Sequence, residues 1–208
     1  MLLSTAHFPP IQYFSKIIDL DKFFLESKEN YQKQSYRNRF IIYAANGPVS
    51  LYIPILKGRT PGQLITEMKI DSSTGWRKVH MKTIQSAYQH SPFYEFFIDD
   101  FKPFWEKDWK YLYDLNLEIL HTLLDIMDLQ IRIEETNVYD SSLDIGEIDL
   151  RSLIHPKVDW RNDSSFSPDP YTQNFFDKFG FQANLSIVDL IFQTGPDAVR
   201  IIKQSKKR

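Results

Sequence analysis

"MLLSTAHFPPIQYFSKIIDLDKFFLES", residues 1–27, decides the fold class. "MLLSTAHF" reads as a short strand, and Pro9 and Pro10 stop it. "IQYFSKIIDL" has the apolar spacing of a helix, and "DKFFLES" reads as a second strand. Strand, helix and strand in so few residues predict a compact βαβ unit and hence a parallel sheet. In such sheets ligands gather where a strand ends and the next helix begins. His7 sits at that junction, which makes it a candidate acid/base group or phosphate contact. The alternative is a hydrogen-bonded structural histidine in a turn stiffened by proline.

Further along, "RFIIYAA" and "PVSLYIPI" flank Asn46-Gly47, a strong hairpin signal. Pro48 and Pro54 cannot donate to a ladder, so the second arm is expected at an edge or bulged. "KGRTPGQ", residues 57–63, reads as a loop. Residues 75–90 predict a helix with Trp76, Val79, Ile84, Ala87 and Tyr88 on one face, ended by Ser91-Pro92. "FYEFFIDDFKPFW" predicts a shorter helix broken near Pro103. "DWKYLYDLNLEILHTLLDIM" is the clearest helix, with Trp109, Leu112, Ile119, Leu120, Leu123 and Met127 at helical spacing, and "IRIEET" follows as a strand. Residues 140–172 read as loops. Ser186 and Asp189 then form a capping box, Gly195 closes that helix, Pro196 opens the next, and "KQSKKR" reads as a frayed tail. The expected class is α/β: a three-layer Rossmann-like core with a short parallel sheet, an added antiparallel hairpin and a helical C-terminal half. The alternative is α+β. One domain is expected to span residues 1–208.

Composition narrows the function. With 25 basic and 27 acidic residues the net charge is −2, so no global field draws the protein to nucleic acid or an anionic membrane. There is no cysteine, which excludes disulfides, thiolate nucleophiles and Cys-ligated zinc. The five His show no metal-ligand spacing, and GxGxxG, the P-loop and the GxSxG elbow are absent. No cofactor and no metal are expected. No apolar run is long enough for a transmembrane helix, and the first residues lack a signal peptide's basic start, so a cytoplasmic protein is expected.

Charge is nevertheless uneven. Residues 99–150 hold fourteen acids against four bases, and residues 28–39 hold four bases against one acid. In "ENYQKQSYRNRF", residues 29–40, Lys33, Arg37 and Arg39 lie among Tyr31, Tyr36, Gln32 and Asn38. Arg suits bidentate contact with phosphate or carboxylate, Lys acts as a point charge, and the tyrosines offer ring faces. This predicts an anion or nucleotide-sugar loop beside a sheet edge; a solvated strand entry with surface ion pairs is the alternative. On a helix His80 lies beside Trp76 and Arg77, a candidate second cationic lip of the same cleft. Asp99-Asp100 and Glu134-Glu135 are carboxylate pairs of a kind common on surfaces.

Four ordered blocks resemble the WbqC-like protein family: "FPPIQYFSKI", "NYQKQSYRNRFII" with "NGPVSLYIPI", "WRKVHMKTIQSAYQHSPFYEFF" and "PYTQNFFDKFGFQANLSIVDLIFQTGP". The resemblance implies a role in surface polysaccharide (O-antigen) biosynthesis, with transfer of an amino acid to a sugar as the suggested reaction. By the family pattern the positions to watch are His7, Pro9, Tyr13, Gln32, Lys33, Arg37, Asn38, Arg39, Trp76, His80, Tyr88, Pro92, Tyr171, Gln173, Asn184 and Asp189. Longer relatives carry a Gly-rich segment after the strand equivalent to "IRIEET"; here "DSSLDIGEIDLRSL" replaces it.

Two hypotheses follow. The first is a transferase that moves an aminoacyl or acyl group onto an activated sugar. Lys33, Arg37 and Arg39 hold the donor's phosphates, Tyr36 or Trp76 stacks on a ring, and His7 or His80 is the general base. Tyr13, Gln32, Asn38, Tyr171 and Asn184 complete the expected substrate contacts. The second is a non-catalytic module holding a sugar nucleotide, another phosphorylated small molecule or a partner enzyme. RNA binding through the Arg-rich loop needs a larger basic surface than this charge supplies.

Overall fold

Leu2–Ser4 (β1), Ile11–Ile17 (α1) and Lys22–Glu26 (β2) form the expected βαβ unit. The computed structural model describes residues 1–56, 62–139 and 148–207. The hairpin strands are Arg39–Ala44 (β3) and Gly47–Tyr52 (β4). Helices Trp76–Tyr88 (α2), Tyr94–Phe101 (α3), Pro103–Glu106 (α4) and Leu112–Ile126 (α5) precede Arg132–Glu135 (β5). Phe176–Phe179 (α6), Ile187–Thr194 (α7) and Ala198–Gln204 (α8) close the chain. The loops read at residues 57–61 and 140–147 lie outside the described residues.

The three strands β1, β2 and β5 pair in parallel, in the order β1-β2-β5. Leu3 opposes Leu25, and Phe23 opposes Ile133. Residues 148–150 extend the sheet on the open side of β1: Leu2 donates to Ile148 O at 2.9 Å and accepts from Leu150 N at 2.9 Å. Phe14, Ile17, Phe23 and Leu25 are fully buried, each contributing roughly 1.5–3 kcal/mol. The result is a mixed helix and strand fold with a small parallel sheet and a separate antiparallel pair. No helix among the described residues is long and apolar enough to cross a membrane.

The hairpin turns through Ala45 and Asn46, and Ala44 pairs with Gly47. Gly47 takes φ 101°, a conformation that favours glycine. The signal at Asn46-Gly47 therefore finds the hairpin, with Gly as the residue that resumes pairing. Among the described residues, strand β4 pairs only with β3, which accommodates Pro48.

Three local expectations need correcting. Val79 is 57% exposed, and His80 takes its place on the buried face of α2. Trp109 precedes α5 instead of lying on it. The tail is not frayed through residue 207. Ser205 is fully buried, Lys206 pairs with Asp19, and Lys207 N donates to Ser165 O at 3.0 Å.

Gly195 caps α7 at φ 53°, and a Cβ there would meet the Phe93 ring at 2.5 Å. Gly195→Ala is expected to destabilise by about 1–3 kcal/mol through strain and overpacking. A urea midpoint equal to the parent's would refute this account of the α7–α8 corner.

Candidate functional site

The carboxyl ends of the parallel strands carry a buried ionic network. At the end of β1, Ser4 Oγ donates to Glu29 Oε2 at 3.0 Å and accepts from Arg37 Nη2 at 2.7 Å. Arg37 forms a fork on Glu29: Nε donates to Oε1 at 2.8 Å and Nη2 pairs with Oε2. Gln32 Oε1 accepts from Arg37 Nη1 at 3.3 Å. At the end of β2, Glu26 accepts from Thr136 Oγ1 at 2.6 Å, Lys28 N at 2.7 Å and Arg151 Nη1 at 2.7 Å. At the end of β5 the carboxylate is exposed: Glu135 accepts from buried Tyr113 OH at 3.0 Å. Burial and the Glu135 charge hold the Tyr113 hydroxyl well above its ordinary pKa. Tyr13 is buried with no partner for its hydroxyl, and burial, then Glu29, raise its pKa likewise. It faces a small cavity of about 10 Å³ lined also by Ser4, Thr5, Tyr36, Arg37 and Ile154, close to the room one water needs.

The cation-rich loop thus divides. Lys33 and Gln32 are exposed, whereas Arg37 is buried and neutralised by Glu29, the one acid among the four bases. Asn38 Nδ2 donates to Ile53 O at 2.9 Å and pins the hairpin's far end. Arg39 is half-buried; its Nη2 donates to Gln34 O at 2.6 Å, and its guanidinium lies 5.9 Å from the Tyr52 ring.

His7 and His80 are both buried, their rings 6.2 Å apart and each packed on Phe40. Asn116 Nδ2 donates to Arg37 O, so its Oδ1 faces His7 Nδ1 at 3.2 Å and the proton sits on Nδ1. His80 Nε2 faces Tyr52 O at 3.0 Å, which puts its proton on Nε2. The remaining nitrogens, His7 Nε2 and His80 Nδ1, have no partner. Burial lowers the His7 pKa well below the ordinary value, with His80 adding to it. Burial lowers that of His80 to about 4. Both are neutral at neutral pH and turned into the core, so His80 forms no lip beside Arg77. Arg77 instead pairs with Asp108. Trp76 packs on His80 at 5.0 Å and is itself buried.

Two further groups of the expected residues hold the fold. Asn184, at φ 55°, accepts from Gln12 N at 2.9 Å and donates to Gln12 Oε1 at 3.2 Å, capping the first turn of α1. Ile11 N donates to Leu185 O at 3.0 Å, so that helix start is already supplied with acceptors. Asp189, fully buried, accepts from Tyr88 OH at 2.7 Å, Tyr171 OH at 2.6 Å and Gln173 Nε2 at 3.3 Å. Ser186 caps α7 as predicted, but Asp189 turns inward instead of closing the box. Burial raises the Asp189 pKa to about 6, against the pull of its three donors.

An open groove of about 420 Å³ lies beside the hairpin. Tyr36, Ile41 and Pro48 form one wall; Lys157, Trp160 and Arg161 with Gln182 and Asn184 form the other. Arg161 stacks 4.7 Å over Trp160 and pairs with Asp159. Trp160 is seated on Phe166 at 5.9 Å. Arg39 lies two residues before Ile41 on the same face of β3. Tyr36 borders both the groove and the inner cavity, and burial pushes its hydroxyl up to about 12. The structure therefore brings Tyr36 and Asn184 to one opening, with Arg39 outside its lining, and sets His7, His80, Trp76 and Tyr171 apart from it in the core. Sequence reading missed Lys157 and Trp160; the signal was a basic, aromatic run "HPKVDWR" inside a segment taken only as loop.

These features define a mixed helix–strand protein with charged strand ends behind an open groove. The chain belongs to the WbqC-like protein family, whose model matches residues 5–151. The wall formed by residues 157–161 and 182–184 lies beyond the matched span. A protein of Mycobacterium tuberculosis (strain ATCC 25618 / H37Rv), named Uncharacterized protein Rv1507c, is 25% identical over 230 residues, covering 98% of each chain. No solved structure matches.

Glu29→Gln leaves the Arg37 charge buried without its counter-ion and is expected to cost about 3–5 kcal/mol. Glu29→Gln combined with Arg37→Met is expected to cost less than Glu29→Gln alone, read from urea midpoints; a larger loss in the double variant would refute the pairing. The titrating core gives a second expectation. His7 and His80 bind protons more readily unfolded, so stability falls as pH drops from about 6.5 toward about 4. Asp189 binds its proton more readily folded, so it opposes that loss below about 6. Between about pH 7 and about pH 5, His80→Gln should lose less stability than the parent and Asp189→Asn more. The reverse order would overturn these assignments.

Proposed function

We propose that this protein binds a nucleotide-sugar, or a similar phosphorylated precursor, in the groove beside the hairpin and takes part in surface polysaccharide (O-antigen) biosynthesis. The preferred reaction is transfer of an aminoacyl or acyl group onto the activated sugar. Tyr36 carries the reading. It joins an open groove rich in aromatic and cationic groups to the carboxyl ends of the parallel strands, where α/β proteins hold their ligands. Trp160 offers a ring face, Lys157 offers charge, and Gln182 and Asn184 offer amides at the wall; Arg39, two residues before Ile41 on the same face of β3, is a proposed further charge. Exposed Lys33 and Gln32 remain proposed contacts for the distal part of a longer donor. The same reading takes the parallel sheet as a reduced, three-layer Rossmann-like core, treats residues 1–208 as one domain and places the protein in the cytoplasm.

One observation favours the second reading, a non-catalytic binding module. Both imidazoles proposed as general base lie in the core without access to the groove. In the transferase reading, a base role for His7 or His80 requires the packing around Phe40 to open.

Titration calorimetry with UDP-glucose tests the groove. Lys157→Ala and Trp160→Ala are each expected to weaken binding about tenfold, because each removes one charge or one stacking face. Parent-like affinity in both would remove the groove from consideration. Mass spectrometry of products with an aminoacyl or acyl donor then separates transferase from module.

A further inference from the structure

We infer that the pocket between α2 and the α3–α4 arm binds a small quaternary ammonium ion that also carries a neutral oxygen, the chemical class of which choline is a simple member. The inference is independent of the groove reading, because the two openings share no lining residue.

The pocket encloses about 270 Å³. Sites for drug-sized ligands hold roughly 300–1,000 Å³, so the occupant here is small. Met81 from α2, Tyr94 and Ile98 from α3 and Trp105 from α4 line it. Both aromatic residues are buried and seated on core rings: Tyr94 packs on Phe192 at 5.2 Å, and Trp105 on Phe8 at 5.7 Å. Two rings, a thioether and an isoleucine make a polarisable wall. Ring quadrupoles attract a cation, and a quaternary ammonium has no N–H groups to leave unpaired against such a wall. A primary ammonium would have to give up water for too few acceptors.

The charge around the pocket also fits a cation. Glu95 lines it, and the Glu95 carboxylate makes no hydrogen bond or ion pair among the described residues. Lys102, the one base among the lining residues, is already paired with Asp99 at 2.5 Å, and Glu106 acts on it as well. Three acids thus stand against one base. A ligand carboxylate would meet Glu95 with no free cation to hold it, so the ligand's oxygen must be uncharged. Trp105 gives that oxygen a partner. Its Nε1–H is buried and donates to no protein acceptor. A buried donor left unmade is costly, and a ligand hydroxyl would satisfy it.

The test is a choline titration of the full chain followed by NMR of the indole N–H signals, with Trp105 assigned through Trp105→Phe. The Trp105 Nε1–H signal is expected to move as choline binds. Neohexyl alcohol, in which carbon replaces the nitrogen, and betaine, in which a carboxylate replaces the hydroxyl, are each expected to bind about tenfold more weakly. Glu95 is exposed, so Glu95→Gln should fold as the parent does. It is expected to bind choline about threefold more weakly, the loss of one solvent-screened charge contact. The parent is expected to prefer choline over tetramethylammonium about fivefold, and Trp105→Phe, which keeps a ring but loses the N–H, to bind both alike. An unmoved Trp105 signal, equal affinity for choline and neohexyl alcohol, equal affinity for choline and betaine, or parent-like affinity in Glu95→Gln would overturn the inference. A choline preference kept in Trp105→Phe would overturn the part given to Nε1–H. None of these results touches the groove reading, which the Lys157 and Trp160 variants test.

Discussion

The fork between Arg37 and Glu29 is the constraint on which the site depends. Two charges taken out of water persist only when each satisfies the other and the leftover hydrogen-bonding capacity is filled. Here Ser4 from β1 serves both partners, and Gln32 serves the free guanidinium nitrogen. The Arg37 carbonyl then accepts from Asn116 on α5, Asn116 faces His7, and His7 N donates to Tyr36 O at 2.8 Å. One ion pair so joins the β1 end, the β1–α1 turn, α5 and the hairpin entry. Moving Arg37 would unseat all four, which is why the antiparallel pair keeps one position beside the parallel sheet without sharing strands with it.

Local patterns were legible in the sequence because they are set by neighbours in the chain. The βαβ unit, the hairpin, the long α5 and the Ser186 cap all came from spacing and turn chemistry. Pairings across the chain were not. Arg37 looked like a phosphate ligand because nothing in "SYRNR" indicates that Glu29 turns back onto it. Asn184 looked like a substrate contact, and its partner, Gln12, is 172 residues away. His80 and Val79 exchanged faces because the Tyr52 carbonyl offsets part of the cost of burying the imidazole, a partner 28 residues away that the local spacing does not reveal. The tail read as frayed because Asp19 and Ser165, which hold it, leave no trace near residue 206.

The family-pattern positions divide along the same line. Tyr88, Tyr171, Gln173 and Asp189 meet in one hydrogen-bonded cluster that ties α2, α7 and the loop before α6. Tyr88 also accepts from Tyr43 N at 3.1 Å, bringing β3 into it. A carboxylate buried there without charge compensation is held by donors alone, so the cluster demands all of them at once. These residues act on the groove by position: Tyr43, behind Ile41 on the same face, is fixed by this cluster and by the carbonyls of Phe175 and Gly180.

The groove is therefore assembled from both ends of the chain. One wall belongs to the hairpin that Arg37 anchors, and the other to residues 157–161 and 182–184. That second wall is bound to the first helix, through Asn184 on Gln12 and through Asp163, which pairs with Lys16 and accepts from Gln12 Nε2 at 2.7 Å. The α1 start thus borrows its acceptors from the groove wall, and the wall borrows its position from α1. Neither can form fully before the other. A ligand bridging the two walls would favour the state in which α1 is capped and the β1–α1 turn closed, so binding and the docking of the C-terminal segment draw on the same contacts.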